Sequence, residues 1–270
     1  MTSDPAAYKE FERAAFNAVA ATYDRWADTS RPFRAALIER VGLSSGHRLL
    51  DVACGPGLLI FDAVPIIGPA GRGIGVDISD KMVEGARRKA ARLKLTNTEF
   101  QRMDAESLDF PDESFDAVTA GLALLHFPDP AQALSEMKRV LKPGGGVAVS
   151  EWGSNSHATI FAAYGRQASR TPVPGPASHP KSIPDMLKSA GFTDRGQQEV
   201  RTFFEFQDRE EYFEQMMAFP GRTMAYFRSL PMDVQEEAIA KTRERLDREF
   251  KQGDRYRVPL ANVISWGRKP

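Results

Sequence analysis

The rhythm of apolar and polar positions changes near residue 47. Upstream, residues 8–40 mix apolar and polar side chains at helical spacing and carry an aromatic cluster of Phe16, Tyr23, Trp26 and Phe33. Downstream, short apolar runs alternate with amphipathic stretches: HRLLDVA, a helix from about 57, RGIGVDIS, DKMVEGARRKAARLKL, TEFQRMDAE, FDAVTAGLALL, PAQALSEMKRVL and GGVAVSEW. Strands alternating with helices at this spacing predict an α/β fold with a doubly wound parallel sheet. Local punctuation agrees. Asp129 stands before Pro130 as a cap, Leu134, Met137 and Leu141 line the helix that follows, and KPGGG stops it.

After 153 the alternation fades. RTPVPGPASHP is too rich in proline for a strand or a long helix and predicts a loop. A helix containing IPDMLKSAGF, a strand GQQEVRTFFEF and the helical stretches REEYFEQMMAF and GRTMAYFRSL come next. A helix near 233–251, striped by Val234, Ala238, Ile239, Thr242, Leu246 and Phe250, precedes a terminal strand VPLANVISWGRK. The chain therefore divides into an N-terminal helical cap (1–45), a core (46–153), and lid helices with C-terminal strands completing the same sheet (154–270).

Composition narrows the function. With 270 residues, 42% of them hydrophobic, the chain can bury a substantial core. Its 36 Lys and Arg balance 36 Asp and Glu, and no basic stripe is present to neutralise a run of phosphates, so nucleic acid is not an expected partner. The single cysteine, Cys54, leaves no internal disulfide and no paired-cysteine metal site. The start MTSDPAAYKE lacks a signal-peptide pattern, and no apolar run approaches ~20 residues, which predicts a cytoplasmic protein without a membrane span.

The chemistry concentrates at predicted strand ends. In an open parallel sheet, ligands sit beyond the carboxyl ends of the strands where strand order reverses. LLDVACGPG and GIGVDIS put Asp51 and Asp77 there. A carboxylate after the second strand suits two vicinal ribose hydroxyls, since an ionised Asp only accepts; that feature fits a dinucleotide or an adenosyl nucleoside equally. The first turn separates them. A pyrophosphate needs a loop rich in backbone N–H groups, whereas here Pro56 supplies none, Ile60 takes the third glycine position, and Asp51 repels phosphate. The same carboxylate attracts an ammonium group, so a nucleoside with a cationic amino-acid tail fits and a dinucleotide does not.

These segments resemble the class I S-adenosylmethionine-dependent methyltransferases, of the small-molecule group that includes the ubiquinone and menaquinone C-methyltransferases, over about residues 20–152. LLDVACGPG is similar to the first motif, implying that Asp51, Ala53, Gly55 and Gly57 face the methionine part; Ala53 stands where many members have a glycine. GVDIS implies Asp77 on the ribose hydroxyls and Ile78 against the adenine. RMDAESLDFPDESFDAV implies Asp104 accepting from the adenine amino group, with Ala105 beside it. Tyr23 and Trp26 in ATYDRWAD resemble the segment that folds over the bound cofactor, and Met82 and Gly121 complete the implied contacts with S-adenosyl-L-methionine. The resemblance implies a Rossmann-like, mostly parallel seven-stranded sheet with its last strand antiparallel, N-terminal helices and an inserted helical lid.

The implied reaction is methyl transfer to an oxygen or carbon of a small apolar or aromatic molecule, by a monomer or homodimer without a metal. His126, in LLHFPDP at the end of the fourth strand, is the candidate base, since an imidazole accepts a proton near neutral pH; its competing role is a structural hydrogen bond or a cofactor contact. His157 and His179 read as solvent-exposed. Among Tyr212, Phe213, Met216, Met217, Phe219, Met224, Tyr226 and Phe227, most read as core and a few as walls of an acceptor pocket, with Arg166, Arg170 and Arg222 available to an anionic group. Two other readings are a cofactor-binding protein that does not methylate, and an NAD(P)-dependent oxidoreductase, which Pro56 and Ile60 disfavour.

Overall fold

The computed structural model describes residues 4–153, 182–217 and 222–270. Helix α1 (Pro5–Val19) starts on an Asp4 cap, and a short 3₁₀ turn at Tyr23–Trp26 leads into α2 (Ala27–Val41). The alternation then runs β1 (Arg48–Val52), α3 (Leu58–Ile67), β2 (Arg72–Asp77), α4 (Asp80–Arg92), β3 (Thr98–Arg102), β4 (Phe115–Ala120), α5 (Pro130–Val140) and β5 (Leu141–Trp152). Beyond it lie α6 (Ile183–Ser189), β6 (Thr193–Phe206), α7 (Arg209–Met217), α8 (Arg222–Ser229), α9 (Met232–Arg245), the two-residue β7 (Lys251–Gln252) and β8 (Arg255–Arg268).

All eight strands join one sheet in the order β3-β2-β1-β4-β5-β8-β6, with β7 paired to β8. Neighbours from β3 to β5 are parallel, and β8 runs antiparallel to both β5 and β6. The seven strands predicted are thus present with an antiparallel last strand, and β7 is an addition too short for any sequence pattern. KPGGG ends α5 as predicted, but its residues belong to β5, entered through a register shift opposite Phe115–Ala117.

The pleat explains the two cores. Leu50, Val52, Ile74 and Val76 point to the face covered by α5 and α6, through Leu134, Met137 and Leu187. Leu49 and Ala117 point to the other face, against Leu37 of α2, Ile60 of α3 and Ala86 of α4. Strand order reverses between β1 and β4, so the carboxyl ends of β1, β2 and β4 open a crevice there. A third core joins α7, α8 and α9 to the outer parts of β6 and β8. Ala238, Thr242 and Leu246 of the predicted stripe are buried in α9 and the π turn after it.

Candidate functional site

Asp77 closes β2 and is 8% exposed. One of its oxygens accepts from Gly55 N and the other from Ser79 N, each at 2.8 Å, so the carboxylate fastens the β1 turn to the start of α4. Each oxygen keeps a further lone pair for a ligand. Burial pushes the Asp77 carboxyl up, against the pull of those two N–H groups and of His126. Asp51, 3% exposed, takes the Thr119 hydroxyl at 2.7 Å. Asp104 follows β3, where its Oδ1 accepts from Glu106 N at 2.9 Å and its Oδ2 meets Lys9 Nζ at 2.7 Å.

The turn between β1 and α3 brings the backbone close to whatever lies above it. Ala53, Gly55 and Gly57 all have φ in the left-handed region, at 56°, 53° and 81°. Ala53 bears a strain that glycine would not, of the kind that collects at ligand clamps. A Cβ on Gly55 would find only Tyr23, at 3.9 Å, so the glycine leaves open space beneath that ring. Gly57 does something else: it caps α3, and a Cβ there would strike Phe100 at 2.7 Å.

Asp77, Ile78, Met82, Asp104 and Ala105 line one wall of a cavity, and Ala53, Gly55, Gly121 and His126 its floor and far side. About 930 Å³ of space lies within it, its open mouth and the solvent there included. Tyr23 lines this cavity and also a second one beyond the β1 turn, where Asp51 lies. Burial and the Asp77 charge hold the Tyr23 hydroxyl up at about 12. Of the residues predicted to hold the cofactor, Asp51 therefore stands in the adjoining cavity and Gly57 in neither, serving packing instead. The Trp26 side chain, His157, His179, Arg166, Arg170 and the Arg222 side chain lie outside the described residues.

Helix α1, part of the helical cap expected over residues 1–45, lines the roof of the main cavity, in part through side chains that the sequence reading did not single out. Lys9 reaches Asp104 and Glu106, Arg13 reaches Asp80 at 2.7 Å, and Asn17 accepts from the Ser79 hydroxyl at 2.7 Å. These positions are four residues apart, so one helix face is pinned to the rim along its length. On the same helix Glu12, 3% exposed, accepts from the Tyr8 hydroxyl at 2.7 Å and meets His126 Nδ1 at 3.1 Å. Phe16 stands edge-on to the imidazole, 5.0 Å between centroids. A carboxylate only accepts, which suits the imidazole tautomer with its N–H at Nδ1 and its lone pair at Nε2. The available signal was Glu12 itself, an acid at i+4 from Tyr8 and i−4 from Phe16 in an otherwise aromatic stripe.

Tyr212, Phe213, Met216, Met224 and Phe227 are all buried in the third core, and among the described residues none of them lines either cavity. Phe33 and Leu37 of α2, with Trp152 of β5, supply apolar walls in their place. No group of three or more His, Cys, Asp or Glu side chains among the described residues is arranged to hold a metal ion, and no described helix is long and apolar enough to cross a membrane.

Asp51 carries a pH prediction. Burial raises its carboxyl to about 7, Asp77 adds to the rise, and Thr119 and Arg34 oppose it. The folded protein thus holds a proton that the unfolded chain releases near the usual carboxyl value. The resulting stability is complete below that value and is lost as pH rises through about 7. From pH 5.5 to 8 this amounts to about 2 kcal/mol at ~1.4 kcal/mol per unit. Urea unfolding at the two pH values should show that fall in the wild type and a flatter profile in Asp51→Asn; equal slopes would show that Asp51 is ionised throughout.

Comparison with known proteins bears on the same residues. The model of a family described as a methyltransferase domain matches residues 43–208. The demethylmenaquinone methyltransferase of Lactococcus lactis is 37% identical over 150 residues, covering 54% of this chain and 58% of that protein. The ubiquinone/menaquinone biosynthesis C-methyltransferase of Pseudoalteromonas translucida is 36% identical over 155 residues, covering 55% and 62%. The matched region thus spans about three fifths of the length of each of these relatives. Among solved structures, phosphoethanolamine N-methyltransferase 2 of Haemonchus contortus, in complex with S-adenosyl-L-methionine, shares the fold with a TM-score of 0.55 at 19% identity, covering 88% of this chain and 52% of that one.

Proposed function

Because the chain belongs to the methyltransferase-domain family, we propose that it is an S-adenosylmethionine-dependent methyltransferase acting on a carbon or oxygen of a small, flat, apolar acceptor of quinol type. One observation carries the reading: the β1 turn, Asp77 and Asp104 surround a single roofed cavity, with Asp51 just beyond it. Asp77 has lone pairs for two ribose hydroxyls, and Ile78, Met82 and Ala105 offer apolar surface to an adenine. Gly55 leaves room for a tail, and Asp51, near neutrality in its titration, offers charge to an ammonium group. Pro56 removes an N–H from the turn, which counts against a pyrophosphate.

When bound, the sulfonium supplies an electrophilic methyl group. The chain contributes alignment and the exclusion of water, through α1 over the cavity and Tyr23 between the two compartments. His126, held by Glu12, is the group placed to take a proton from an acceptor hydroxyl. The relatives named for demethylmenaquinone and for ubiquinone and menaquinone support a quinol-type acceptor.

Titration calorimetry with S-adenosylmethionine, S-adenosylhomocysteine and NADH tests the cofactor. Micromolar binding of both adenosyl ligands and none of NADH is the expected result. Absence of adenosyl binding, or tighter binding of NADH, overturns the reading and leaves the fold alone.

A further inference from the structure

The second cavity contains a polar group that nothing so far uses. Asn262 lies on β8, opposite Trp152 of β5 and Val200 of β6, and is 0% exposed. Neither its amide nitrogen nor its amide oxygen has a hydrogen-bond partner, and the residue lines the cavity together with Phe33, Leu37, Ser150 and Asp51. Burying an unpaired amide is costly, and buried polar atoms almost always find partners. An apolar side chain at this position would be cheaper for the fold alone, so the amide calls for a ligand.

The sheet indicates which part of the ligand. Asp51 on β1 and Asn262 on β8 are separated by β4 and β5, three strand steps or about 14 Å at ~4.8 Å each. Asp51 is level with Thr119 and, through it, with Ala148, whereas Asn262 is level with Trp152, four residues nearer the carboxyl end of β5. An amino-acid tail whose ammonium is at Asp51 does not extend that far. The walls between are Phe33 and Leu37. Ser150, beside Asn262, already accepts from Leu122 N through its Oγ at 2.9 Å, whereas neither polar atom of the carboxamide has a partner.

We propose that Asn262 is a specificity-determining residue that binds the methyl acceptor, which is an aromatic molecule carrying a hydroxyl donor and an oxygen acceptor on adjacent ring carbons. A carboxamide presents its acceptor and its donor side by side, so it pairs with a group that offers a donor and an acceptor at matching separation. The edge of a vicinal diol does this, with one O–H donating to Oδ1 and the other oxygen accepting from Nδ2, while its ring packs on Phe33 and Leu37. The inference rests on the methyltransferase reading of the main cavity.

The probes are 2,3-dihydroxynaphthalene and 2-naphthol, titrated into protein saturated with S-adenosylhomocysteine. The diol should bind at least tenfold more tightly than the mono-ol, and Asn262→Leu should abolish that preference while changing S-adenosylhomocysteine affinity less than twofold. Thermal unfolding of the ligand-free variant should occur at or above the wild-type midpoint, because an unpaired amide has been removed. Asn262→Ala, which cannot overpack, should abolish the same preference. A wild type without preference for the diol, a preference that survives both substitutions, or a loss of S-adenosylhomocysteine affinity in their place each overturns the inference. Failure of the wild type to bind S-adenosylhomocysteine at all instead overturns the methyltransferase reading.

Discussion

Replacing Asp77 by alanine should weaken S-adenosylhomocysteine binding by at least about 100-fold in calorimetry. The expectation follows from what the carboxylate does in the site. It is buried, it already holds Gly55 N and Ser79 N, and it lines the cavity with lone pairs to spare. Hydrogen bonds to a charged group contribute about 1.5–3 kcal/mol each, so losing two ribose contacts costs about 3 kcal/mol or more. The substitution also strands two backbone N–H groups, loosening the turn over which the tail must lie, and the unfolding midpoint should fall as well. Affinity within threefold of the wild type would remove Asp77 from the nucleoside site and, with it, the main support for an adenosyl ligand.

How this site was legible in sequence depends on the range of the interactions that build it. Asp51 and Asp77 could be placed at strand ends because each closes a short apolar run, whereas Asp104, after the polar TEFQRM, came from the family resemblance; the parallel order of β1, β2 and β3 brings the three ends together. The glycine turn at Gly55 and Gly57 was legible from the sequence, but its left-handed backbone and the task of Gly57 were not, the latter being set by Phe100 on another strand. The contacts that pin the roof were illegible for the same reason. Lys9 meets Asp104 across 95 residues and His126 meets Glu12 across 114, separations over which no periodicity carries. Asn262 was hidden because β8 inserts between β5 and β6, so its neighbours come from three distant segments. The aromatic and methionine residues of α7 and α8 went the other way: their helical spacing fits a wall or a core equally, and packing on β6 and β8 decides for the core.

The second large effect concerns His126. With an acceptor that must lose a hydroxyl proton, His126→Asn should lower kcat by about 100-fold or more, within the range that general bases contribute. S-adenosylhomocysteine affinity should change less than threefold. The geometry supplies the argument: Glu12 engages Nδ1, Phe16 fixes the ring plane, and Nε2 is left as the proton acceptor in a histidine lining the cavity. Glu12 acts through the imidazole, so it is a positioning residue, and Glu12→Gln should cost about tenfold in kcat, comparable with losses of groups that orient a functional histidine. The two competing roles predict different outcomes. A cofactor contact would move the S-adenosylhomocysteine affinity of His126→Asn and leave kcat at saturation nearly intact. A purely structural bond between α1 and the β4 end would lower the unfolding midpoint of both variants and leave both kcat and S-adenosylhomocysteine affinity nearly intact. Retention of kcat within threefold would therefore reject His126 as the base.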